Sequence, residues 1–370
     1  MMERGLEIVN MGAEEPDFPT PQTITQALQK AIAHGFTNYA PAGGVPELKE
    51  ALLDGYRRRS NAPLDNVQAV ITSGATQAIW LALLSLVEGR DEVLLPTPHW
   101  TSYPEMIRLA GANPVLVKSH DDFSISVEAI TKAWTEHTRA VLVSSPLNPA
   151  GKLIAAQDLK ALGQLCAERG AFLIVDESYQ HYVYPPSQFF SAAALEREFG
   201  RHLILVGSFS KTYAMAGWRV GFAIAPARII DSMVSLQGAT TAGPPTFCQM
   251  AAVEALRFPA RFYTKLVEDF SKRKEIAMAL CRTIPNFICN DPEATFYLFP
   301  SVKAYLSRGG IRDTNALASF LLREGLTYVV PSTAFGVENH LRISFALPQK
   351  KLKEGFRRIA QALSLLTSTR

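Results

Sequence analysis

The sequence predicts an α/β protein. A large domain with a mostly parallel sheet between helices is joined to a smaller α+β domain that includes the C-terminus. Three observations carry this. Short, near-continuous Val/Ile/Leu runs alternate with helical patterns, as strands buried on both faces require. At 370 residues, the chain exceeds the length at which one hydrophobic core stops growing, so one large and one smaller domain are expected. From about residue 256 the texture changes to a long charged helix followed by short mixed elements.

Taken in order, "QAVIT" (68–72) precedes the helical "SGATQAIWLALLSLV", and "EVLLP" (92–96) precedes "TPHWTSYPEMIRLAG". "RAVLVSS" (139–145) leads through "PLNPAGK" to "AAQDLKALGQLCAERG". "AFLIVDE" (171–177) precedes "SYQHYVY", and "HLILVGS" (202–208) precedes "FSKTYAMAGWRVGF". "RFYTKLVEDFSKRKEIAMALCRTI" reads as one connecting helix. Beyond it, "ATFYLFPSV", "NALASFLLREG", "LTYVVPSTAFG", "HLRISFAL" and a terminal helix form the α+β unit. The expected bounds are 20–265 for the large domain, and 1–19 with 266–370 for the small one.

Hydrophobic content of 48% with 19% charged residues describes a foldable globular chain rather than a disordered one. A net charge of +3 leaves no electrostatic footprint for nucleic acid or a membrane surface. Cys166, Cys248, Cys281 and Cys289 form no C-x-x-C pair and read as reduced thiols, not as a disulfide frame or zinc site. The start, "MMERGLEIVN", lacks a basic flank followed by an apolar run, and no stretch of 18 apolar residues occurs. A cytoplasmic protein that spans no membrane is expected.

In open parallel sheets, ligands bind outside the carboxyl ends of the strands, so the polar residues ending these runs carry the functional signal. Lys211 lies among apolar neighbours, where lost hydration lowers an amine's pKa and frees it as a nucleophile toward a carbonyl. Such a lysine would hold an aldehyde cofactor such as pyridoxal 5′-phosphate as a Schiff base. Read alone, a lysine more commonly snorkels to the surface. Arg219 offers a planar fork suited to a phosphate dianion, or else a structural cation. Ser208 could give the same phosphate a hydroxyl. In "TSGATQAI", Gly74, Ala75 and Thr76 open a helix, and N–H groups there with the helix dipole favour an anion.

Asp176, directly after "FLIV", is either a helix N-cap or a buried partner for a cation such as a protonated pyridine nitrogen. Tyr179 and Asn148 could hold a phenolate oxygen, or serve as a packed tyrosine and a turn asparagine. Trp100 could stack on a ring or fill the core. Arg342, in the apolar "LRISFA", is either paired inside the fold or awaits a ligand carboxylate.

Together these segments resemble a known series. "SSPLNPAGK", "IVDESYQHYVY", "SFSKTYAMAGWRVGF" and "LRISFA" look like the motifs of the class I/II aminotransferases, the fold-type I pyridoxal-phosphate enzymes. "GAEEPDFPTP", "NYAPAGGVPELKEAL" and "SGATQAI" resemble the bacterial aspartate aminotransferase-like branch, and the likeness runs from about residue 8 to the C-terminus.

The resemblance implies that Lys211 bonds the cofactor and then shuttles the proton, and that Asp176 binds the pyridine nitrogen. Tyr179 and Asn148 would bind the ring hydroxyl. Ser208, Arg219 and the Gly74–Ala75–Thr76 turn would hold the phosphate, and Trp100 would stack on the ring. Arg342 would grip the substrate carboxylate with help from Asn148 and Trp100. Tyr39 would reach the phosphate from a partner subunit, making a homodimer with shared sites. The implied reaction passes the α-amino group of an L-amino acid to a 2-oxo acid by way of pyridoxamine phosphate, with glutamate and 2-oxoglutarate as the second pair.

Three departures bear on the substrate. Where the family has a second glycine, this chain has Glu14, expected to narrow the site or repel an acidic substrate. Thr76 stands where aspartate-using relatives often carry a lysine. The arm before the glycine motif is shorter than in relatives by roughly two helical turns, so the lid over the substrate is expected to differ. A neutral or aromatic amino acid therefore weighs equally with aspartate. The rival on the same fold is C–S β-elimination. A non-catalytic regulator fused to a DNA-binding domain fits neither the charge of +3 nor the short stretch before residue 8. A nicotinamide dehydrogenase lacks its G-x-G-x-x-G.

Overall fold

The computed structural model describes residues 6–368. The first residues assigned to the small domain, 1–5, lie outside the described residues, as do 369–370. Among the described residues, twelve strands follow in chain order: β1 Val9–Asn10, β2 Val67–Thr72, β3 Glu92–Thr97, β4 Asn113–Lys118, β5 Thr138–Ser144, β6 Phe172–Asp176, β7 Leu203–Ser208, β8 Gly221–Pro226, β9 Tyr297–Leu298, β10 Thr327–Tyr328, β11 Val330–Pro331 and β12 Leu341–Ser344.

The main sheet has seven strands in the order β2-β8-β7-β6-β5-β3-β4. All neighbouring pairs run parallel except those of β8, which is antiparallel to both β2 and β7. Consecutive side chains of a strand enter opposite faces, and here both faces are dry. Val141, Val143, Leu173, Val175 and Leu205 join one core, while Leu142, Ile174, Ile204 and Val206 join another. That is why the runs read as continuously apolar instead of alternating. Burying each such side chain contributes roughly 1.5–3 kcal/mol. Helix Gly74–Leu84 covers the second face with Ala78, Ile79 and Leu81, and helix Ala156–Glu168 covers the first with Leu159, Leu162 and Cys166.

The sequence does not mark the one reversed strand: "VGF" closes the segment after β7, and "AIAP" continues it without a turn signal. Its reversal places the amino end of β8 beside the carboxyl ends of β2 and β7: Gly221 pairs with Thr72 on one side and Ser208 on the other.

A third core is built around the antiparallel strands β11-β12-β9, the parallel pair β1-β10, and helices Ala260–Arg282 and Gln349–Ser368. The long charged helix joins the cores: Phe262 and Tyr263 pack against the first, and Leu266, Phe270 and Ala277 belong to the third. The segment after β1 crosses from this core toward the main sheet. It is pinned by Asp17 pairing with Arg273 at 2.5 Å and by Thr20 Oγ1 donating to the carbonyl of Ala214 at 2.6 Å.

Candidate active site

The turns after β2, β3, β5, β6 and β7 and the crossing segment 10–15 enclose one cleft of about 750 Å³. Its walls include Ala75, Thr76, Trp100, Asn148, Asp176, Tyr179, Ser208, Lys211 and Arg219. Of the residues singled out from sequence, three are placed otherwise. Gly74 lies directly behind the Arg219 guanidinium. Arg342 stands behind Glu14, and Tyr39 projects from a surface turn, 93% exposed.

At one end of the cleft the chemistry suits an anion. Gly74 opens the 11-residue helix Gly74–Leu84 at φ 82°, a left-handed conformation that favours glycine. An added Cβ there would lie 2.4 Å from Arg219 Nη2. Arg219 is itself left-handed (φ 56°) and is held by Nη1 donating to the Ala216 carbonyl at 2.8 Å and Nη2 to the Ser73 carbonyl at 3.1 Å. Such a conformation costs a non-glycine residue roughly 1–3 kcal/mol, so the surrounding contacts hold the fork in place. Gly221 is equally constrained: a Cβ would come within 2.3 Å of the Gly74 carbonyl carbon. Ser208 Oγ donates to Ser210 Oγ at 2.8 Å and accepts from the Ser210 N–H at 3.0 Å.

Across the cleft floor, the buried Asp176 carboxylate accepts from Tyr103 Oη at 2.8 Å and from the Ser178 N–H at 2.9 Å. The buried Ser178 hydroxyl has no partner among the described residues. Trp100 meets the Tyr103 ring edge-on at 5.4 Å, and Tyr179 Oη shares a 2.7 Å hydrogen bond with Tyr297 Oη.

Lys211 Nζ lies 5.7 Å from the centroid of the Tyr179 ring and donates to the backbone carbonyl of Glu14. Burial lowers its pKa from the ordinary lysine value of 10.5, against the opposing pull of Glu14, Glu15 and Asp176. The amine is thus drawn toward its nucleophilic, neutral form.

Arg342, on β12, is almost wholly enclosed. Nη1 pairs with Glu14 Oε1 and donates to Asn148 Oδ1 at 3.1 Å, and Nη2 donates to the Gly12 carbonyl at 2.9 Å. Its guanidinium lies 4.5 Å from the ring centroid of Tyr297 and 5.1 Å from that of Phe335. Its Nε, buried, has no partner among the described residues. Glu14 Oε2 in turn accepts from Trp100 Nε1 at 3.2 Å.

These residues fit pyridoxal phosphate. A donor-rich end with a fixed guanidinium suits a phosphate, a buried carboxylate suits a protonated ring nitrogen, and an amine of lowered basicity suits an aldehyde carbon. Tyr103, Ser178 and Ser210 also border the cleft and Tyr297 bonds Tyr179 there, yet no sequence pattern marks these four. Phenols and hydroxyls without charge look the same in a sequence whether they fill a core or line a site.

The sheet and its carboxyl-end cleft define a class, the fold-type I enzymes that work with pyridoxal 5′-phosphate. Within that class the chain belongs to the aminotransferase class I and II family, whose model matches residues 7–359. It is a pyridoxal-phosphate-dependent transaminase, which moves the amino group of an amino acid to a 2-oxo acid. It is 36% identical over 364 residues to a probable aspartate/prephenate aminotransferase of Aquifex aeolicus, covering 97% of this chain and 92% of that one. To an aspartate aminotransferase of Streptomyces avermitilis it is 38% identical over 367 residues, 97% of this chain and 90% of that one. Among solved structures, the aspartate aminotransferase of Rhizobium meliloti superposes with a TM-score of 0.92 at 33% identity, covering 98% of this chain and 93% of that one. The aromatic aminotransferase of Pyrococcus horikoshii superposes with a TM-score of 0.91 at 32% identity, covering 97% and 96%.

Proposed function

We propose that this transaminase acts on aspartate or on a neutral or aromatic amino acid, and that the residues of the cleft divide the work as follows. Ser208, Arg219 and the Gly74–Ala75–Thr76 turn hold the phosphate. Asp176 holds the ring nitrogen in its protonated form, Tyr179 and Asn148 hold the ring hydroxyl, and Trp100 stacks on the ring. When bound, pyridoxal phosphate supplies an aldehyde carbon and an electron-accepting ring that make the substrate's α-proton acidic.

Lys211 Nζ is the amine that would hold the aldehyde carbon, and an arriving amino acid would take that position and leave the lysine free. Free, it removes the α-proton and returns it on the cofactor side, a general acid–base role for which burial has lowered its basicity. Arg342, with Asn148 and Trp100, holds the substrate's α-carboxylate and so fixes which face of the α-carbon Lys211 meets. The observation that carries this reading is that Asp176, at the end of β6, and Lys211 and Arg219, on the connection from β7 to β8, face a single cleft.

We place the large domain at 20–265 and the small domain at 1–19 with 266–370. The separation of the third core from the two flanking the main sheet supports this. The working unit is read as a cytoplasmic homodimer in which Tyr39 serves the partner's site; its 93% exposure in the single chain is consistent with that use. Among the described residues no helix is long and apolar enough to cross a membrane.

Relatives named as aspartate, aspartate/prephenate and aromatic aminotransferases support both substrate classes and favour transamination over C–S cleavage. The test is the visible absorption of the pyridoxal-phosphate-loaded protein before and after single amino acids. Loss of the yellow band with one class, with the matching 2-oxo acid released, identifies the donor. Pyruvate and ammonia formed from cystathionine would overturn the reading in favour of the lyase.

A further inference from the structure

The guanidinium assigned to the substrate's carboxylate already has a carboxylate on it. Glu14 pairs with Arg342 Nη1, and the two side chains are unequally exposed, 3% for Arg342 and 29% for Glu14. Glu14 lines the cleft, whereas Arg342 is absent from its walls. The same residue is tied to two further parts of the site: Oε2 accepts from Trp100 Nε1 at 3.2 Å, and the backbone carbonyl accepts from Lys211 Nζ. Asn148 accepts a further bond from Nη1, and the Gly12 carbonyl accepts one from Nη2. On the Nη1 side, the Glu14 carboxylate thus stands between the fork and the cleft.

We infer that Glu14 is a tethered carboxylate that caps Arg342 between turnovers, and that a substrate enters by exchanging its own carboxylate for that of Glu14. The inference rests on the reading of Arg342 given under Proposed function.

The physical case is one of like for like. A guanidinium–carboxylate pair is charge-assisted and strong, but here one such pair replaces another, so the entering carboxylate gains only the difference. If Glu14 stayed in place, two carboxylates would share one guanidinium in a largely enclosed pocket, a like-charge contact that low-dielectric surroundings magnify. The displaced group need not be buried unpaired, because its side chain already borders the cleft and can swing toward solvent. Burial works to raise the Glu14 pKa, yet the charge and hydrogen bond of Arg342, with Lys211 and Trp100, hold it below the ordinary 4.5. At neutral pH the cap is therefore an anion. Glu14 thus sets the affinity of the site for carboxylate ligands without touching the reacting atoms.

Calorimetric titration of the pyridoxal-phosphate-loaded protein with two inert carboxylates, succinate and 3-phenylpropanoate, tests this in wild type, Glu14→Gln, Glu14→Ala and Arg342→Ala. Glu14→Gln keeps the shape of the cap and removes its charge, and Glu14→Ala removes the cap. Both are expected to bind at least one probe about tenfold tighter than wild type or better, the scale of one lost charged competitor. Arg342→Ala is expected to bind neither. In turnover, the Glu14 variants should lower KM by a similar factor while kcat changes less. Equal or weaker binding in both Glu14 variants, with binding lost in Arg342→Ala, overturns the exchange but spares the Arg342 reading. Undiminished binding in Arg342→Ala overturns that reading and the exchange with it. No binding of either probe to Glu14→Ala also overturns the exchange.

Discussion

The phenol of Tyr103 donates to Asp176 Oδ2 at 2.8 Å, with both residues buried. Burial first, and then the negative charge of Asp176, raise the Tyr103 pKa well above its ordinary 10, so the phenol stays protonated and keeps donating. Tyr103→Phe should remove one hydrogen bond to a buried acceptor and cost about 1–3 kcal/mol of stability in the cofactor-free protein. Denaturant unfolding of the variant measures this, and an unchanged midpoint would show that Asp176 finds another donor.

Lys211→Ala should lose turnover by at least the roughly 10²–10⁴-fold that general acid–base catalysis contributes. The far-UV circular dichroism should remain that of wild type, and the cofactor should still bind through its phosphate end. Steady-state rates and a cofactor titration measure the two effects. Full activity in this variant would end the assignment of the amine.

Gly74→Ala tests the anion end. The new Cβ would meet Arg219 Nη2 at 2.4 Å in a backbone conformation of φ 82°, and the left-handed penalty alone is about 1–2 kcal/mol. Cofactor affinity should fall by about tenfold or more, with Lys211 chemistry otherwise intact. Absorbance titration with pyridoxal phosphate gives the affinity, and an unaltered value would place the phosphate elsewhere.

Glu177 provides a pH test away from the proposed chemistry. Wholly buried, it is pushed up to about 7 by desolvation, while the Ala192 N–H, the Ser191 hydroxyl, Arg59 and Tyr56 pull the other way. A carboxyl whose folded pKa exceeds its unfolded value of 4.5 contributes stability that is complete below that value and lost as pH rises through about 7. This one group should thus remove stability on the order of 3 kcal/mol between pH 4.5 and 8. Glu177→Gln keeps Oε1 for the Ala192 N–H at 2.7 Å and the Ser191 hydroxyl at 3.0 Å. It should flatten that part of the profile, as unfolding midpoints measured across the range would show. An equally steep profile in the variant would assign the dependence to other groups.

The alternation of apolar runs and helices exposed most of the main sheet, because a strand dry on both faces cannot hide its composition. The segments that follow those runs drew attention to Lys211, Asp176, Ser208 and Arg219, because ligands of such sheets bind outside the carboxyl ends of the strands. The direction of β8 was hidden, since "VGFAIAP" reads the same for a strand running either way. Two-residue strands such as β9 and β11 carry no period at all. Glu14 stood out as an anomaly, but its partner lies 328 residues away, and only the tertiary fold brings those charges together. Tyr103 gave no signal, for a phenol three residues past Trp100 could have served the core alone.

The reversed strand also has a consequence for how this chain can change length. Because β8 turns straight back beside β7, Lys211 and Arg219 belong to one strap anchored at both ends by the Ser208–Gly221 pair. An inserted or deleted residue between them would slide the amine against the guanidinium and spoil both grips together. At the opposite rim, Gly111 and Gly170 lie in turns where, among the described residues, a side chain would meet nothing within 4 Å beyond its own chain neighbours. Length variation among descendants of this sequence should therefore collect at that rim and spare residues 209–220, making the strap a ruler that lineages inherit without editing.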